Sequence, residues 1–216
     1  MQPIISVVGR SESGKTILLA SLITELKRRG RMVAVIKHTH HDFDIDETGK
    51  DSWKFVQAGG DVVMVSSPRR FAIFKQTGQD LEPQELSRFI VGDYDLVLTE
   101  GFFRSKTLKI EVHRKERGGE LLCSPGQLLA VVTDEPLEMD VPQFSKDEVE
   151  KIVDLIENKV LAQRGEEDVE LFINGSPVPI KPFVMEFVAR TLVGMVSALR
   201  GVKEVKSLNI SLRKKG

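Results

Sequence analysis

The sequence predicts an α/β protein built around a mostly parallel sheet. Short continuous apolar runs recur at Ile4–Val8, Met32–Ile36, Tyr94–Thr99 and Leu128–Val132, as in strands covered on both faces. Segments of helical periodicity alternate with them. Between the first run and the first helix stands Gly9-Arg10-Ser11-Glu12-Ser13-Gly14-Lys15-Thr16, which fits G-x-x-x-x-G-K-[ST] in its required strand–loop–helix setting.

Each element follows in order. Strand one is Ile4–Val8. The next helix runs from Lys15 to about Arg29, with Leu18, Leu19, Leu22, Ile23 and Leu26 on one stripe and Gly30 at the stop position. Met32–Ile36 is the second strand. After a polar loop, Asp51–Ala58 is a short helix ending at Gly59-Gly60. Asp61–Val65 and Phe71–Phe74 form a hairpin around Ser66-Ser67-Pro68-Arg69. Pro83–Ile90 is helical and Tyr94–Thr99 is a buried strand. Leu108–His113 alternates apolar and polar residues, which puts Lys109, Glu111 and His113 on one face; a solvated edge strand is the default for that face. Leu128–Val132 is the last buried strand. Ser145-Lys146-Asp147-Glu148 is a capping box opening a helix to about Gln163.

The acidic segment Arg164–Asp168 reads as a linker, which divides the chain into residues 1–164 and 165–216. The second part reads as a strand at Val169–Ile173, a turn at Asn174-Gly175, a Pro-rich strand, a helix from about Pro182 to Leu199 and a strand at Val205–Leu212. About fifty residues of this β-β-α-β pattern hold too small a core to stand alone, so the unit is expected to pack on the first domain or on another subunit. The fold class is thus α/β, a P-loop NTPase-type three-layer fold with a mostly parallel sheet, plus a small C-terminal α+β unit.

Composition sets the outer bounds. With 41% hydrophobic and 29% charged residues in 216, the chain can build a globular core. No apolar window is long enough to span a membrane, and the N-terminus runs directly into a strand rather than through a leader. The expected compartment is the cytoplasm. One cysteine, Cys123, excludes an internal disulfide and reads as an incidental thiol. Charge is unevenly spread: Phe102–Arg117 carries six Lys/Arg against two Glu, and Thr133–Glu170 thirteen Asp/Glu against four Lys/Arg. No basic patch interleaved with aromatics points to nucleic acid.

The Gly-rich loop carries the chemistry. Successive backbone N–H groups from Gly9 to Gly14 form a nest for phosphate oxygens, and the following helix adds its positive end. Lys15 reaches the outer phosphates and the Thr16 hydroxyl sits on Mg2+. Glu100, at the end of a neighbouring strand, is placed for the metal side of the phosphates. The loop from Lys37 to Asp46 holds three of the four histidines, at the strand edge where open α/β sheets bind ligands. His38, His40 and His41 lack zinc-pair spacing, so three readings stand: the loop recognises an anionic substrate, orders a divalent ion or moves with nucleotide state, with Asp44 or Asp46 the harder ligand for Mg2+. Asp134, after Thr133, either reads N1–H and N2–H2 of a guanine or caps a turn; both readings stand.

Taken together, these residues resemble the MobB family, the molybdopterin-guanine dinucleotide biosynthesis adaptor proteins. The resemblance rests on Val7 to Thr16, Lys37 to Asp46, Gly49 to Phe55, Ala58-Gly59-Gly60, Leu98 to Phe102 and Lys109 to Arg114, and spans about residues 3–160. It implies a homodimeric protein that binds GTP with Mg2+, at most a slow GTPase. Its partners are then the guanylyl transferase that joins GMP to molybdopterin, and molybdopterin itself. By the same resemblance Gly9–Thr16 with Ile17, Thr133 and Asp134 hold nucleotide, Thr16, Asp46 and Glu100 serve Mg2+, and His38, His40, His41, Asp44, Lys109, Glu111 and Arg114 border the partner surface. Glu12 departs from the small residue usual at its position and adds a negative charge beside the phosphates. Ile17 stands where a second Thr is common, a change expected to affect only helix packing. Two other classes remain open: a small-molecule kinase with Phe102–Arg117 as its lid, and a GTPase chaperone inserting another metal through the His-rich loop.

Overall fold

The computed structural model describes residues 2–39, 41, 43, 49–162, 171–173, 176–178, 180–202, 205, 208 and 210. Two compact units are present, residues 2–157 and 158–216. In the first, the elements are β1 (Ile4–Gly9), α1 (Lys15–Arg28), β2 (Val33–Lys37), α2 (Asp51–Gln57), β3 (Val62–Ser66), β4 (Phe71–Lys75) and α3 (Pro83–Ser87). They continue with β5 (Leu96–Glu100), β6 (Leu108–Val112), β7 (Leu128–Val132), β8 (Gln143–Phe144) and α4 (Val149–Ile156).

Six of these strands form one parallel sheet in the order β2-β5-β1-β6-β7-β8, with β3 and β4 pairing separately as an antiparallel hairpin. The phosphate-loop strand β1 lies between β5 and β6. Its C-terminal end therefore has Glu100 on one side and the chain after Val112 on the other. Helix α1 starts at Lys15, as the motif requires, and its stripe Leu18, Leu19, Leu22 and Leu26 is buried. It stops where predicted: Gly30 takes φ +80° and the Arg31 N–H closes onto the Leu26 carbonyl at 3.0 Å.

Helix α1 packs against β1, β2 and β5 and against α4, whose Ile152 and Ile156 are fully buried. Polar groups fasten the two helices. Arg29 Nε bonds Glu25 at 2.6 Å while its Nη1 holds Asp154 at 2.6 Å and Glu157 at 2.9 Å. These bonds hold the Glu25 carboxyl well below its usual range, at about 2, with Arg28 the largest contributor and Arg29 next.

The opposite face of the sheet is partly polar. Ser6 lies in register with Thr99 and Lys109, so the three side chains point to one side. The connection from Glu100 to Leu108 crosses that side, and its Thr107 hydroxyl meets Ser6 Oγ at 2.6 Å. Thr99 donates to Ser6 Oγ at 2.8 Å, and Ser105 Oγ lies 2.7 Å from Thr107 Oγ1. Lys109 is fully buried, donating to the carbonyls of Ser105 and Thr107, and burial lowers its pKa.

Two expectations need correction here. Strand β6 is central, not a solvated edge, because β7 and β8 extend the sheet beyond it. Lys109 and Glu111 are accordingly buried; Glu111 accepts the backbone N–H groups of Leu122 and Cys123 at 2.7 and 3.0 Å. Strand β2, read as covered on both faces, is an edge strand and leaves Val35 45% exposed.

The second unit contains the hairpin β9 (Leu171–Ile173) and β10 (Ser176–Val178) and helix α5 (Pro182–Ser197). The strand expected over 205–212 falls largely outside the described residues. No described helix is long and apolar enough to cross a membrane.

Candidate nucleotide-binding site

The loop from Gly9 to Thr16 wraps the C-terminal end of β1 and opens α1. Gly9 has φ +148°, and a Cβ there would stand 2.5 Å from the Val112 carbonyl oxygen and 2.8 Å from Ser13 Oγ. Only glycine fits between β1 and β6. Gly14 takes φ +97° and turns the chain into the helix.

The polar side chains of the loop include Ser13 and Lys15. Ser13 Oγ is buried and has no hydrogen-bond partner among the described residues, which is uncommon for a buried hydroxyl. Lys15 Nζ folds back onto the Arg10 carbonyl at 2.7 Å. Burial lowers its pKa, with Glu100 opposing and Lys37 adding to the shift. The loop thus offers a half-buried cation, backbone N–H groups and an unmatched hydroxyl, the donor set that a polyphosphate satisfies.

Metal chemistry has a matching place. Thr16 Oγ1 lies 3.0 Å from both carboxylate oxygens of Glu100. An octahedral Mg2+ with bonds of about 2.0–2.1 Å needs neighbouring ligands about 3 Å apart, so this hydroxyl–carboxylate pair fits one edge of its shell. Ser11, Glu12, Gly14, Lys15, Thr16, Ile17 and Glu100 line a cavity of about 350 Å3. Ile17, expected to affect only helix packing, is 76% exposed at its rim.

Glu12 has φ +57°. Its carboxylate turns to Arg117, whose Nη2 lies 2.7 Å away. Beside it Arg10 reaches the Glu120 carbonyl at 3.3 Å. Arg114 is half-buried, and its guanidinium approaches to 3.8 Å of where a Gly14 side chain would begin. The segment after β6 is thereby a cationic wall along the phosphate loop.

On the far side of Glu100, His38 bonds Asp80 at 3.0 Å and stacks on Phe102 with ring centroids 4.5 Å apart. Phe102 itself takes φ +59° directly after Gly101. Asp134 uses one oxygen to cap the turn after β6, accepting the Lys115 N–H at 3.0 Å. That contact holds its carboxyl below the usual range. Thr133 is buried and bonds the Glu135 carbonyl at 2.8 Å. His41 is exposed. His40, Asp44 and Asp46 lie outside the described residues, so the expected carboxylate from that loop is not placed.

Sequence reasoning missed Arg117 and Asp80 as neighbours of the site. Asp80 lies 42 positions from His38, with nothing local to link them. For Arg117 a signal existed: it sits in the basic strip just past a strand that pairs with β1.

A parallel sheet with this loop at the end of its third strand in sheet order defines a P-loop NTPase-type nucleotide-binding fold. Comparisons with known proteins narrow the class. The family model for MobB, molybdopterin guanine dinucleotide synthesis protein B, matches residues 4–134, and the chain belongs to that family. A molybdopterin-guanine dinucleotide biosynthesis adapter protein of Haemophilus influenzae is 39% identical over 72% of this chain and 88% of its own length. Its counterpart in Escherichia coli is 36% identical over 76% of this chain and 97% of its own length. A crystal structure of molybdopterin-guanine biosynthesis protein B superposes with a TM-score of 0.53 at 31% identity, covering 72% of this chain and 98% of that one.

Proposed function

We propose that this protein is a Mg-GTP-binding adapter of molybdopterin-guanine dinucleotide biosynthesis, acting in the cytoplasm beside the enzyme that transfers a guanylyl group to molybdopterin. The observation that carries the reading is the Thr16–Glu100 pair at 3.0 Å, set against a phosphate loop with Lys15 and a Ser13 hydroxyl that has no partner among the described residues. The loop holds the phosphates, Thr16 and Glu100 hold Mg2+, and Asp134 offers its second oxygen to a guanine edge. Arg114 adds positive charge near Gly14.

A homodimer accounts for the apolar surface of the β3–β4 hairpin. Alternation in β3 and β4 puts Val62, Met64, Phe71 and Ile73 on one face, each between 37% and 59% exposed. Val63 on the other face is buried, where β3 packs on α2. Such a face needs a cover, and a second copy supplies it.

The test is calorimetry with Mg-GTP and Mg-ATP on the wild type and Lys15→Ala. Tight Mg-GTP binding lost in Lys15→Ala supports the reading. Equal binding by both proteins, or preference for Mg-ATP, overturns it.

A further inference from the structure

Glu12 places a full negative charge in a loop whose task is to hold negative charge. The cavity lining contains two carboxylates, Glu12 and Glu100, against one ammonium, Lys15. Mg2+ answers Glu100, but nothing in the lining answers Glu12. The answer comes from outside it, where Arg117 Nη2 meets Glu12 Oε2 at 2.7 Å.

The position of Arg117 is fixed on several sides. It closes a single 3-10 turn, Lys115–Arg117, directly after β6, and Asp134 caps the start of that turn through the Lys115 N–H. The Arg117 N–H bonds the Arg114 carbonyl at 3.0 Å. Arg10 crosses to the same segment at Glu120, and a Cβ on Gly119 would overlap its guanidinium. Two side chains of the phosphate loop, Arg10 and Glu12, therefore grip residues 117–120. The Glu12 and Arg117 side chains are 71% and 45% exposed, too open for the pair to matter much to folding.

We propose that Glu12 and Arg117 form one functional unit at the rim of the phosphate cavity, in which Arg117 is a phosphate-binding residue and Glu12 is its holder. A guanidinium carries five N–H donors in a rigid fork, so it can keep a carboxylate and take a phosphate oxygen together. The pair is neutral as a unit. Without Arg117 the Glu12 charge faces the polyphosphate unopposed; without both charges the loop returns to an ordinary neutral one. This inference rests on the Mg-GTP reading and adds to it the residue that offsets Glu12.

The experiment is calorimetry of the full chain with Mg-GTP, and separately with inorganic pyrophosphate and Mg2+. The proteins are wild type, Arg117→Ala, Arg117→Lys, Glu12→Gln and the double variant Glu12→Gln/Arg117→Ala. Arg117→Ala is expected to weaken both ligands on the order of tenfold, as a nearby like charge does at high effective dielectric. Arg117→Lys retains most of the affinity, and the double variant recovers to within about threefold of wild type, the non-additivity expected of a coupled pair. Thermal melting of all five stays the same, which separates the effect from misfolding. Arg117→Ala binding within about twofold of wild type, or a double variant as weak as Arg117→Ala, overturns the pair while Mg-GTP binding itself stands. A loss seen with GTP but not with pyrophosphate also overturns it, since Arg117 would then act away from the phosphates. No binding by the wild type overturns the Mg-GTP reading, and this inference with it.

Discussion

Replacing Glu100 by Gln tests the metal side of the site through a change of sign. The variant keeps a side chain that can accept the Thr16 hydroxyl, which now lies 3.0 Å from both Glu100 oxygens, but removes the charge. A unit negative charge attracts a divalent ion by roughly 2 kcal/mol even at about 4 Å and the dielectric of water, and direct ligation brings it closer. Glu100 is half-buried, so the true value is at least that, or about 30-fold in affinity. Without metal the same carboxylate repels phosphate by roughly 1 kcal/mol at about 5 Å. Glu100→Gln should therefore bind GTP weaker than wild type in Mg2+ and tighter than wild type in EDTA. Titrating fluorescent GTP analogue with and without Mg2+ reads both. A variant that retains the full Mg2+ enhancement refutes the placement of the ion against Thr16 and Glu100.

Other outcomes follow from the same structure. Met64→Glu puts a charge in the apolar face of the β3–β4 hairpin, and sedimentation should shift from dimer to monomer with Mg-GTP affinity retained. Acid should destabilise the fold in a defined window. The Glu25 and Glu148 carboxyls titrate at about 2 in the folded chain, held down chiefly by Arg28 and by Lys151 respectively. Their contribution is complete above the ordinary carboxyl value of about 4.5 and disappears as pH falls from there to about 2. Melting temperature followed from pH 7 to pH 2 should fall through that window, and less steeply in Glu25→Gln. Cys123 is buried, and its thiol is pushed up to about 12 by burial first and by Glu111 next. Native protein at pH 8 should resist thiol reagents that modify it fully in denaturant.

Much of the site was legible because it is local. The phosphate loop needs glycine at positions 9 and 14, a lysine and a hydroxyl in succession, and a strand and helix around them. All of that lies within contiguous residues whose φ values and hydrogen bonds are dictated nearby. Glu100 was legible for a related reason, since an acid that ends a buried strand in such a sheet has few other places to go. The boundaries of β1, α1 and β7 follow from apolar periodicity and from Gly30.

What depended on the order of strands was not legible. Alternation in Leu108–His113 correctly sorts Lys109, Glu111 and His113 onto one face, but says nothing of what covers that face. The crossing of residues 101–107 beneath β1 and the addition of β7 and β8 beyond β6 bury Lys109 and Glu111. Their charges are then met by carbonyls and backbone N–H groups. Conversely, the apolar run of β2 reads like any buried strand, yet its place at the sheet edge leaves Val35 open.

The sequence alone determined that a Gly-rich loop of the phosphate-binding pattern stands at the end of the first strand, because that loop is made of neighbouring backbone. Only the tertiary structure decided what surrounds it. Pairing β1 directly with β6 brings the turn at 115–117 against the loop, and so joins Glu12 to a residue 105 positions away. The charge that the sequence could only register as an oddity inside a phosphate loop becomes, in the fold, one half of an ion pair.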